Sequence, residues 1–457
     1  MPAPPSLSTE PKRSVPPRNH PRRATPLWSP MLAIGIVTAT AVGSALVLPS
    51  VAAIVAPAVI LAGLLAVGVA AVARGGLVGE RAWLLRLTGV SFALHAVLGV
   101  VILHSEWLIR ALGPDAISYN QTALELVDHW RGESAMPSGL VAGKSGFVYL
   151  LAATYRLFGS RANAGVLVNA ALSAAVLPLV WDTTRRLYGQ RVARVAALMC
   201  LLLPGLLVWG SQLLREALVL FLLALAANAG VRLTERRSSS SIGVLSLAVA
   251  LLLTVRANVG MLAAGGLVVG VAIGHRRVIV GATVGGLSLA ALLVIVLGMG
   301  VGYRGYQYVA NSDLRDVSET RQNLATNAST GISKHTELST PSQTLRYLPQ
   351  GLAALLAGPY PWQTRSSLQA SGLVDAAAMW ILLPSLWRGC RLSLRREGRQ
   401  ALVLLVPAIF VSLGLSLLVG NVGTAVRERT QVVVLLLPVI AVGWETSRTR
   451  RARRRRD

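Results

Sequence analysis

Cysteine, histidine and acidic residues are scarce in this 457-residue chain. Only two cysteines occur, Cys200 in an apolar run and Cys390 in a basic segment, so neither a disulfide framework nor a zinc site is expected. The six histidines are scattered, which argues against a metal site built from several of them. The P-loop, GxSxG and HExxH motifs are also absent, and with them the nucleotide-binding, serine-hydrolase and metalloprotease sites that they build.

Acidic residues number 19 against 44 basic ones, which gives a net charge of +25. In a soluble protein this excess would suggest nucleic acid. Here 53% of the residues are hydrophobic and the mean hydropathy is +0.59. The apolar residues come in runs of roughly 15 to 25, the length that crosses a hydrocarbon core. We therefore expect a multi-pass membrane protein that binds membrane lipids and no nucleic acid, with basic residues in its cytoplasmic loops.

The apolar runs predict an all-α transmembrane bundle of about twelve spans. These lie near residues 31–49, 52–73, 87–108, 163–181, 195–210, 213–231, 241–255, 259–274, 278–302, 372–387, 400–420 and 430–446. Seven segments that all fall on one side of this layout hold 29 of the 44 basic residues: 1–28, 74–86, 182–194, 232–240, 275–277, 388–399 and 447–457. The positive-inside rule makes that side cytoplasmic, both termini included.

This layout divides the chain into three parts. Residues 1–28 are expected to be a disordered basic tail, 29–446 a transmembrane domain, and 447–457 an Arg-rich tail at the cytoplasmic surface. The domain has two large external loops, 109–162 and 303–371. In the first loop, 118–130 and the short apolar run 145–158 are expected to be helices along the outer surface. In the second, 303–349 is expected to be a mobile or functional polar segment, followed by a surface helix within 350–366.

Ionisable residues are costly at membrane depth, so those that remain there suggest function. On the external side the layout brings several of them to the ends of spans. They are Asp115 and Tyr119 after the third span, Lys144 at the end of the first loop, Arg215 and Glu216 between spans five and six, Arg256 and Asn258 between spans seven and eight, and Arg427 and Arg429 between the last two spans.

Each of the acidic residues has two interpretations. Gly-Pro-Asp before a helix is a good helix-capping sequence, so Asp115 is either an N-cap or a general base that deprotonates an attacking hydroxyl. Glu216 begins an apolar helix beside Arg215. It is either a helix-dipole or ion-pair carboxylate, or a supporting acid that orients Asp115, an acceptor hydroxyl or a metal ion.

The arginines at the span ends also have two interpretations. Arg427 and Arg429 flank a short external turn, where guanidinium groups suit a phosphate at headgroup depth. Arginines that snorkel from a helix end would give the same pattern. Arg256 is a weaker candidate of the same kind.

Several stretches, taken together, resemble the GT-C superfamily of polyprenyl-phosphate-dependent glycosyltransferases, in its bacterial, protein-mannosyltransferase-like branch. They are GPDAISYNQTA after a membrane exit, FGSRANAGVLVNAALSAAVLPLVWDTTRRLYGQRVARVAAL after a surface helix, LLPGLLVWGSQLLREALVLFLLAL, and GNVGTAVRERTQ near the end. The resemblance covers roughly residues 90–450. It implies a catalytic base at Asp115, a supporting acid at Glu216, and basic residues near the final spans that hold the lipid phosphate. Asp115 is followed by Ala116 rather than by a second acid, so no cofactor is predicted, although a divalent cation is compatible with the family.

The function expected from this resemblance is sugar transfer from a polyprenyl-phosphate donor to a hydroxyl of a glycan, lipid or protein acceptor, at the outer face of the cell membrane. Arg427, Arg429 and Arg256 would neutralise the phosphate while Asp115 takes the acceptor proton. Two alternatives remain. A polyprenyl-linked glycan polymerase or ligase would use the arginines without needing Asp115, and a transporter would show internal repeats and broken helices.

Overall fold

The computed structural model of the chain describes residues 49–73, 78–140, 144–235, 238–274, 314–326, 331, 338–364 and 367–454. These residues form sixteen α-helices and one 3-10 turn, and their only β-type pairing is an isolated bridge between Gly331 and Asn421. The prediction of an all-α bundle is therefore confirmed.

The helices are numbered in chain order. The first eight are α1 (Pro49–Val72), α2 (Val78–His104), α3 (Glu106–Leu112), α4 (Asp115–Trp130), α5 (Gly146–Phe158), α6 (Ala162–Tyr188), α7 (Gln190–Leu202) and α8 (Pro204–Ser211). The second eight are α9 (Glu216–Glu235), α10 (Ser239–Val255), α11 (Ala257–Gly274), α12 (Leu314–Thr326), α13 (Pro341–Ala357), α14 (Ser367–Arg396), α15 (Leu402–Leu418) and α16 (Val422–Arg454). The 3-10 turn Pro361–Gln363 lies between α13 and α14.

Five of these helices, α2, α6, α9, α11 and α16, are long and apolar enough to cross a membrane. The pair α7 and α8 would make a sixth crossing, bent by 55°. The count of twelve spans is thus not confirmed in the described residues. The predicted span 278–302 lies outside them, as does the span 31–49 except for its last residue. The chain is a multi-pass membrane protein by the length and composition of these helices.

The break between α7 and α8 falls inside the predicted continuous span 195–210. Proline has no N–H to donate to the preceding turn, so a new helix begins at Pro204. The N–H of Gly205 instead donates to the carboxylate of Asp375 on α14, at 2.9 Å. The span is therefore interrupted by a proline and fixed by a side chain from a distant helix.

The core of the bundle is built by α6, α9 and α16. The most apolar windows of these helices are 89%, 78% and 78% buried, against 28% for α2, which faces outward. Close crossings rely on small residues, as expected for membrane helices. A side chain at Gly266 on α11 would collide with the backbone of Pro407 on α15, and one at Gly443 on α16 would collide with the Ser385 carbonyl on α14. The ends of these central helices position the polar groups described below.

Four of the predicted cytoplasmic segments meet at one end of the bundle. Arg186 pairs with Glu235, Arg194 pairs with Glu80, and the Tyr188 hydroxyl lies 2.7 Å from that of Ser393. These contacts join 182–194 to 232–240, 74–86 and 388–399, as the charge pattern predicted. The helix α16 continues through Arg454, so most of the predicted C-terminal tail is helical.

The two segments that the sequence predicted to be external contain more helix than expected. The first loop has the expected pair, with α4 beginning at Asp115 and α5 at Gly146. In the second loop, α12 lies within 303–349, and the helix expected within 350–366 is α13, which begins earlier, at Pro341. A capping box between Thr340 and Gln343 starts α13. This motif is only four residues long, so the composition of the loop does not reveal it.

This second loop is tied to the turn that precedes α16. The Asn421 side-chain amide donates to the Leu324 carbonyl at 3.1 Å, and the Tyr347 hydroxyl donates to the Val419 carbonyl. Residues 419–421 lead directly into the helix that carries Arg427. The described part of the loop is therefore attached to the turn that leads into the helix of the candidate site.

Candidate active site

Asp115 is the first residue of α4, and its carboxylate bonds to an arginine 312 residues further along the chain. Pro114 occupies the N-cap position and no side chain caps the helix, so the capping interpretation of Asp115 does not hold. Instead Asp115 Oδ2 accepts a hydrogen bond of 2.9 Å from Arg427 Nη1 on α16. The Asp115 side chain is 52% exposed, which leaves it open to an incoming group.

Glu216 begins α9 and is completely buried. One interpretation of the sequence paired Glu216 with Arg215, but the structure contains no such ion pair. Glu216 Oε1 accepts from Arg427 Nε at 2.5 Å and from Arg256 Nη1 at 3.3 Å. Its position at a helix N-terminus also suits a carboxylate, because backbone N–H groups point outward there.

The irregular segment before α9 is held by a buried asparagine. Asn169, two turns into α6, donates to the carbonyls of Gln212 and Leu214 at 2.6 and 2.7 Å. These are backbone groups that the break between α8 and α9 would otherwise leave unpaired. Asn169 therefore fixes the point at which Arg215 and Glu216 enter the site.

Arg256, at the C-cap of α10, joins Glu216 to a second buried acid. Its Nη2 donates to Glu428 Oε1 at 2.5 Å, and Glu428 is only 4% exposed. The sequence analysis did not identify Glu428, although it identified the two arginines on either side of it. The signal was present, because Glu428 is itself an ionisable residue at a span end.

These five side chains form one line of alternating charge, which we call the acid–arginine chain. It runs Glu428, Arg256, Glu216, Arg427, Asp115. The inner three side chains are buried, with exposures of 5% for Glu428, 7% for Arg256 and 0% for Glu216, and exposure then increases to 16% for Arg427 and 52% for Asp115. Buried charges need such partners, since an unpaired one is strongly destabilising.

Two more cations lie beside the chain, and both are less completely paired. Arg215 makes one long contact, from Nη1 to the Val255 carbonyl at 3.4 Å, and its buried Nε has no partner among the described residues. Partial burial lowers the pKa of Lys144, and the nearby charges of Arg215 and Arg256 lower it further, while Asp115 opposes them. With Arg215 and Lys144, the acid–arginine chain becomes a seven-residue cluster with a formal charge of +1, which we call the acid–arginine cluster.

Tyr119 lies one helical turn after Asp115 and borders this cluster. Its ring meets that of Phe147 edge to face, with centroids 5.4 Å apart. Burial is the main cause that raises the pKa of Tyr119 above its usual value. The hydroxyl therefore stays protonated near neutral pH and can donate a hydrogen bond.

The remaining two predicted residues lie differently. Asn258 is half-buried in the first turn of α11, two residues after Arg256. Arg429 belongs to a separate, fully buried contact set, which is a correction to the sequence interpretation. It donates to Asp375 Oδ2 at 2.7 Å and to the carbonyls of Leu355 and Gly358. Successive helical residues rotate by about 100°, so Arg427 and Arg429 leave α16 on opposite faces.

The cluster contains no group of three ligands suited to a metal ion. Among the described residues, no set of three or more His, Cys, Asp or Glu side chains lies close enough together to hold one. Two buried carboxylate oxygens, Glu216 Oε2 and Glu428 Oε2, have no hydrogen-bond partner among the described residues. The arrangement suits an anion beside an exposed carboxylate more closely than a bound cation, because Arg215 and Lys144 have spare donors.

Part of the chain matches a known family. Residues 146–300, about a third of the chain, match the family of dolichyl-phosphate-mannose-protein mannosyltransferases. No curated protein matches the chain.

Solved structures share the fold. The ArnT protein of Cupriavidus metallidurans, solved bound to undecaprenyl phosphate, superposes with a TM-score of 0.52 and 15% identity over 79% of this chain and 60% of its own. The Archaeoglobus fulgidus oligosaccharyltransferase in its apo form gives 0.51 and 12%, over 81% of this chain and 51% of its own. This chain thus spans about half to three fifths of the length of these structures. It has the GT-C fold, as the sequence resemblance predicted.

Proposed function

We propose that this protein is a membrane glycosyltransferase that moves a sugar from a polyprenyl-phosphate donor to an acceptor hydroxyl. The observation that carries the proposal is the contact between exposed Asp115 and Arg427, beside the incompletely paired cations Arg215 and Lys144. A base and an anion site thus adjoin at the end of a membrane bundle. The family match and the GT-C fold support the same class of reaction.

The donor phosphate binds to Arg215, Lys144 and the outer edge of Arg427. Guanidinium groups suit phosphate because they form two parallel hydrogen bonds to its oxygens. Negative charge on the phosphate grows as the sugar leaves, and fixed cations in a partly dry site stabilise that growing charge. Arg256 is committed to two buried carboxylates, so its role is to hold Glu216 rather than to bind phosphate.

Asp115 acts as general base. An acceptor hydroxyl donates its proton to Asp115 while its oxygen attacks the anomeric carbon, and the bond from that carbon to the phosphate oxygen breaks. The bonding electrons leave with the phosphate, so polyprenyl phosphate departs as a dianion and needs no strong acid. Displacement in one step inverts the anomeric configuration.

The proposal includes partners and an orientation. The donor enters from the lipid, and the acceptor is a glycan, lipid or protein that carries a hydroxyl. The basic segments gather at the opposite end of the bundle, so the positive-inside rule assigns that end and both termini to the cytoplasm. The site then faces outward, and the reaction that we propose uses no cofactor.

The test is transfer by the purified full-length protein in lipid nanodiscs from labelled polyprenyl-phosphate sugars, with release of polyprenyl phosphate as a second readout. Asp115→Asn keeps the size of the side chain and removes the base. We expect transfer to fall about 10²- to 10⁴-fold, the usual contribution of general base catalysis. Unchanged transfer by this variant would remove Asp115 as the base.

The same assay separates the alternatives. A glycan polymerase or ligase that relies on the arginines alone would keep its rate in Asp115→Asn and lose it in Arg427→Gln. A transporter would carry the labelled lipid across the bilayer of a vesicle with the sugar–phosphate bond intact. Sugar transfer that depends on both residues supports the proposal.

A further inference from the structure

The acid–arginine chain has one end that is fixed and one that is open. Arg427 bonds through Nε to Glu216, which is completely buried, and through Nη1 to Asp115, which is half-exposed. The inner bond is shielded from water and the outer one is not, so the outer bond is far easier to exchange. Arg427 can therefore change its outer partner while its inner edge stays in place.

A phosphate oxygen is a suitable replacement for the carboxylate. Both are anions that accept hydrogen bonds from the edge of a guanidinium group. If a donor phosphate occupies this edge, the alternation of charge along the chain is preserved. Asp115 then loses its strongest partner and becomes available to an acceptor hydroxyl.

We propose that Arg427 exchanges Asp115 for the donor phosphate, so that binding of the donor is the event that frees the base. The inference rests on the proposed function and adds an order of events to it: the donor binds before the acceptor proton can be taken. An acceptor that arrived first would meet a carboxylate still held by Arg427. This order limits unproductive reactions with water or with the wrong hydroxyl.

Glu428 is a positioning residue in this exchange. It occupies one edge of Arg256 and so leaves Arg256 only a single, longer bond of 3.3 Å to Glu216. Without Glu428, the released Nη2 of Arg256 would turn to Glu216 Oε2, which has no partner among the described residues, and draw Glu216 away from Arg427. Glu428 thus keeps Glu216 available as the inner anchor of Arg427.

The experiment measures binding of undecaprenyl phosphate, without a sugar, to the full-length protein in nanodiscs. If Asp115 competes with phosphate for Arg427, Asp115→Asn binds the lipid more tightly than the wild type although it cannot transfer sugar. The expected gain is about two- to fivefold, typical for one partly exposed ion pair. Equal or weaker binding by Asp115→Asn overturns the exchange.

A double-mutant cycle excludes simple charge repulsion as the cause. In an Arg427→Gln background, the exchange mechanism predicts that Asp115→Asn no longer tightens binding, because the shared partner is gone. Repulsion between Asp115 and the phosphate would give the same gain in both backgrounds. That result contradicts the proposal even if sugar transfer still requires Asp115, so its failure can be told apart from failure of the proposed function.

Glu428→Gln tests the positioning role of the buried end of the acid–arginine chain, and Glu445→Gln is its matched control. Glu445 lies on the same helix, is 6% exposed and pairs with Arg191 at the other end of the bundle. We expect Glu428→Gln to weaken lipid binding about tenfold, as for loss of a charged hydrogen bond, and Glu445→Gln to change it less than twofold. Thermal unfolding confirms that both variants are folded. If folded Glu428→Gln binds and transfers like the wild type, Glu428 has no positioning role, and Asp115→Asn still tests the exchange independently.

Discussion

The two ends of this bundle each hold a cluster of acids and arginines, and they are built differently. At one end is the acid–arginine cluster around Glu216. At the other is a group centred on Asp182, which we call the Asp182 cluster; it comprises Asp182, Arg185, Arg186, Asn228, Arg232 and Glu235.

The Asp182 cluster has a single, fully satisfied centre. Asp182 is completely buried; its Oδ1 accepts from Arg185 at 2.7 Å, and its Oδ2 accepts from Arg186 and Arg232, each at 2.8 Å. The Asn228 amide adds a further bond to Oδ2. Both oxygens are thus occupied, and the carboxylate has no route to a ligand.

The acid–arginine cluster has a line of charges instead of a centre. Its last acid, Asp115, is half-exposed, and the buried oxygens Glu216 Oε2 and Glu428 Oε2 have no hydrogen-bond partner in the described chain. The Asp182 cluster also has one such atom, Arg185 Nε, so the difference lies in access: the carboxylate of Asp182 is closed to a ligand, whereas the acid–arginine cluster ends in a half-exposed carboxylate. This difference is the one expected if the Asp182 cluster joins helices and the acid–arginine cluster is the proposed active site.

The largest expected effect that tests this contrast is on stability. Asp182→Asn leaves three arginines without their common acid, and removing one partner of a buried ion pair costs about 3–5 kcal/mol. We expect a marked fall in the midpoint of thermal unfolding, with lipid binding unchanged in the protein that remains folded. Asp115→Asn, at a half-exposed pair, should cost about 1 kcal/mol or less. If the two variants unfold at the same temperature, the distinction between the clusters is lost.

A smaller effect is expected on affinity. Arg215→Gln removes a cation that is incompletely paired in the acid–arginine cluster. Because a hydrogen bond to a charged group contributes about 1.5–3 kcal/mol, binding of undecaprenyl phosphate should weaken about 10- to 100-fold. Arg232→Gln is the matched control from the Asp182 cluster and should bind the lipid normally. Equal losses in both variants would mean that overall charge, rather than position, controls binding.

The smallest effect is on pH dependence. The pKa of Lys144 lies below the ordinary lysine value, because partial burial and its cationic neighbours disfavour the charged form. As pH rises through this lowered pKa, Lys144 becomes neutral and lipid binding should weaken by about two- to fivefold, the range of an exposed ion pair. Lys144→Arg keeps its charge and should move this loss to higher pH. If lipid binding weakens at the same alkaline pH in the wild type and in Lys144→Arg, Lys144 does not contact the phosphate.

The sequence located the site because charged residues at span ends are few and costly. Asp115, Glu216 and Arg427 were identified from their position next to apolar runs, and the structure places them in direct contact. The sequence did not identify their partners. One interpretation of Glu216 was an ion pair with its neighbour Arg215, yet Glu216 bonds to arginines 40 and 211 residues away.

The errors have a common physical origin. Adjacent side chains on a helix point in different directions, so closeness in sequence says little about contact. Arg429 was grouped with Arg427 but faces the opposite side of α16 and binds Asp375. The helix α12 was missed because it is a short polar element whose position depends on the bond between Asn421 and Leu324 rather than on a long apolar run.

The sequence by itself determined that this is an α-helical membrane protein, which segments are apolar, and which ends carry basic residues. These properties depend on local composition, since a hydrocarbon core selects long apolar helices whatever they pack against. Only the tertiary structure decided which acid meets which arginine, how deep each one lies, and that Asp115 alone among the acids of the acid–arginine chain is open. Those properties depend on the rotation and packing of helices that are far apart in the chain, and no local pattern records them.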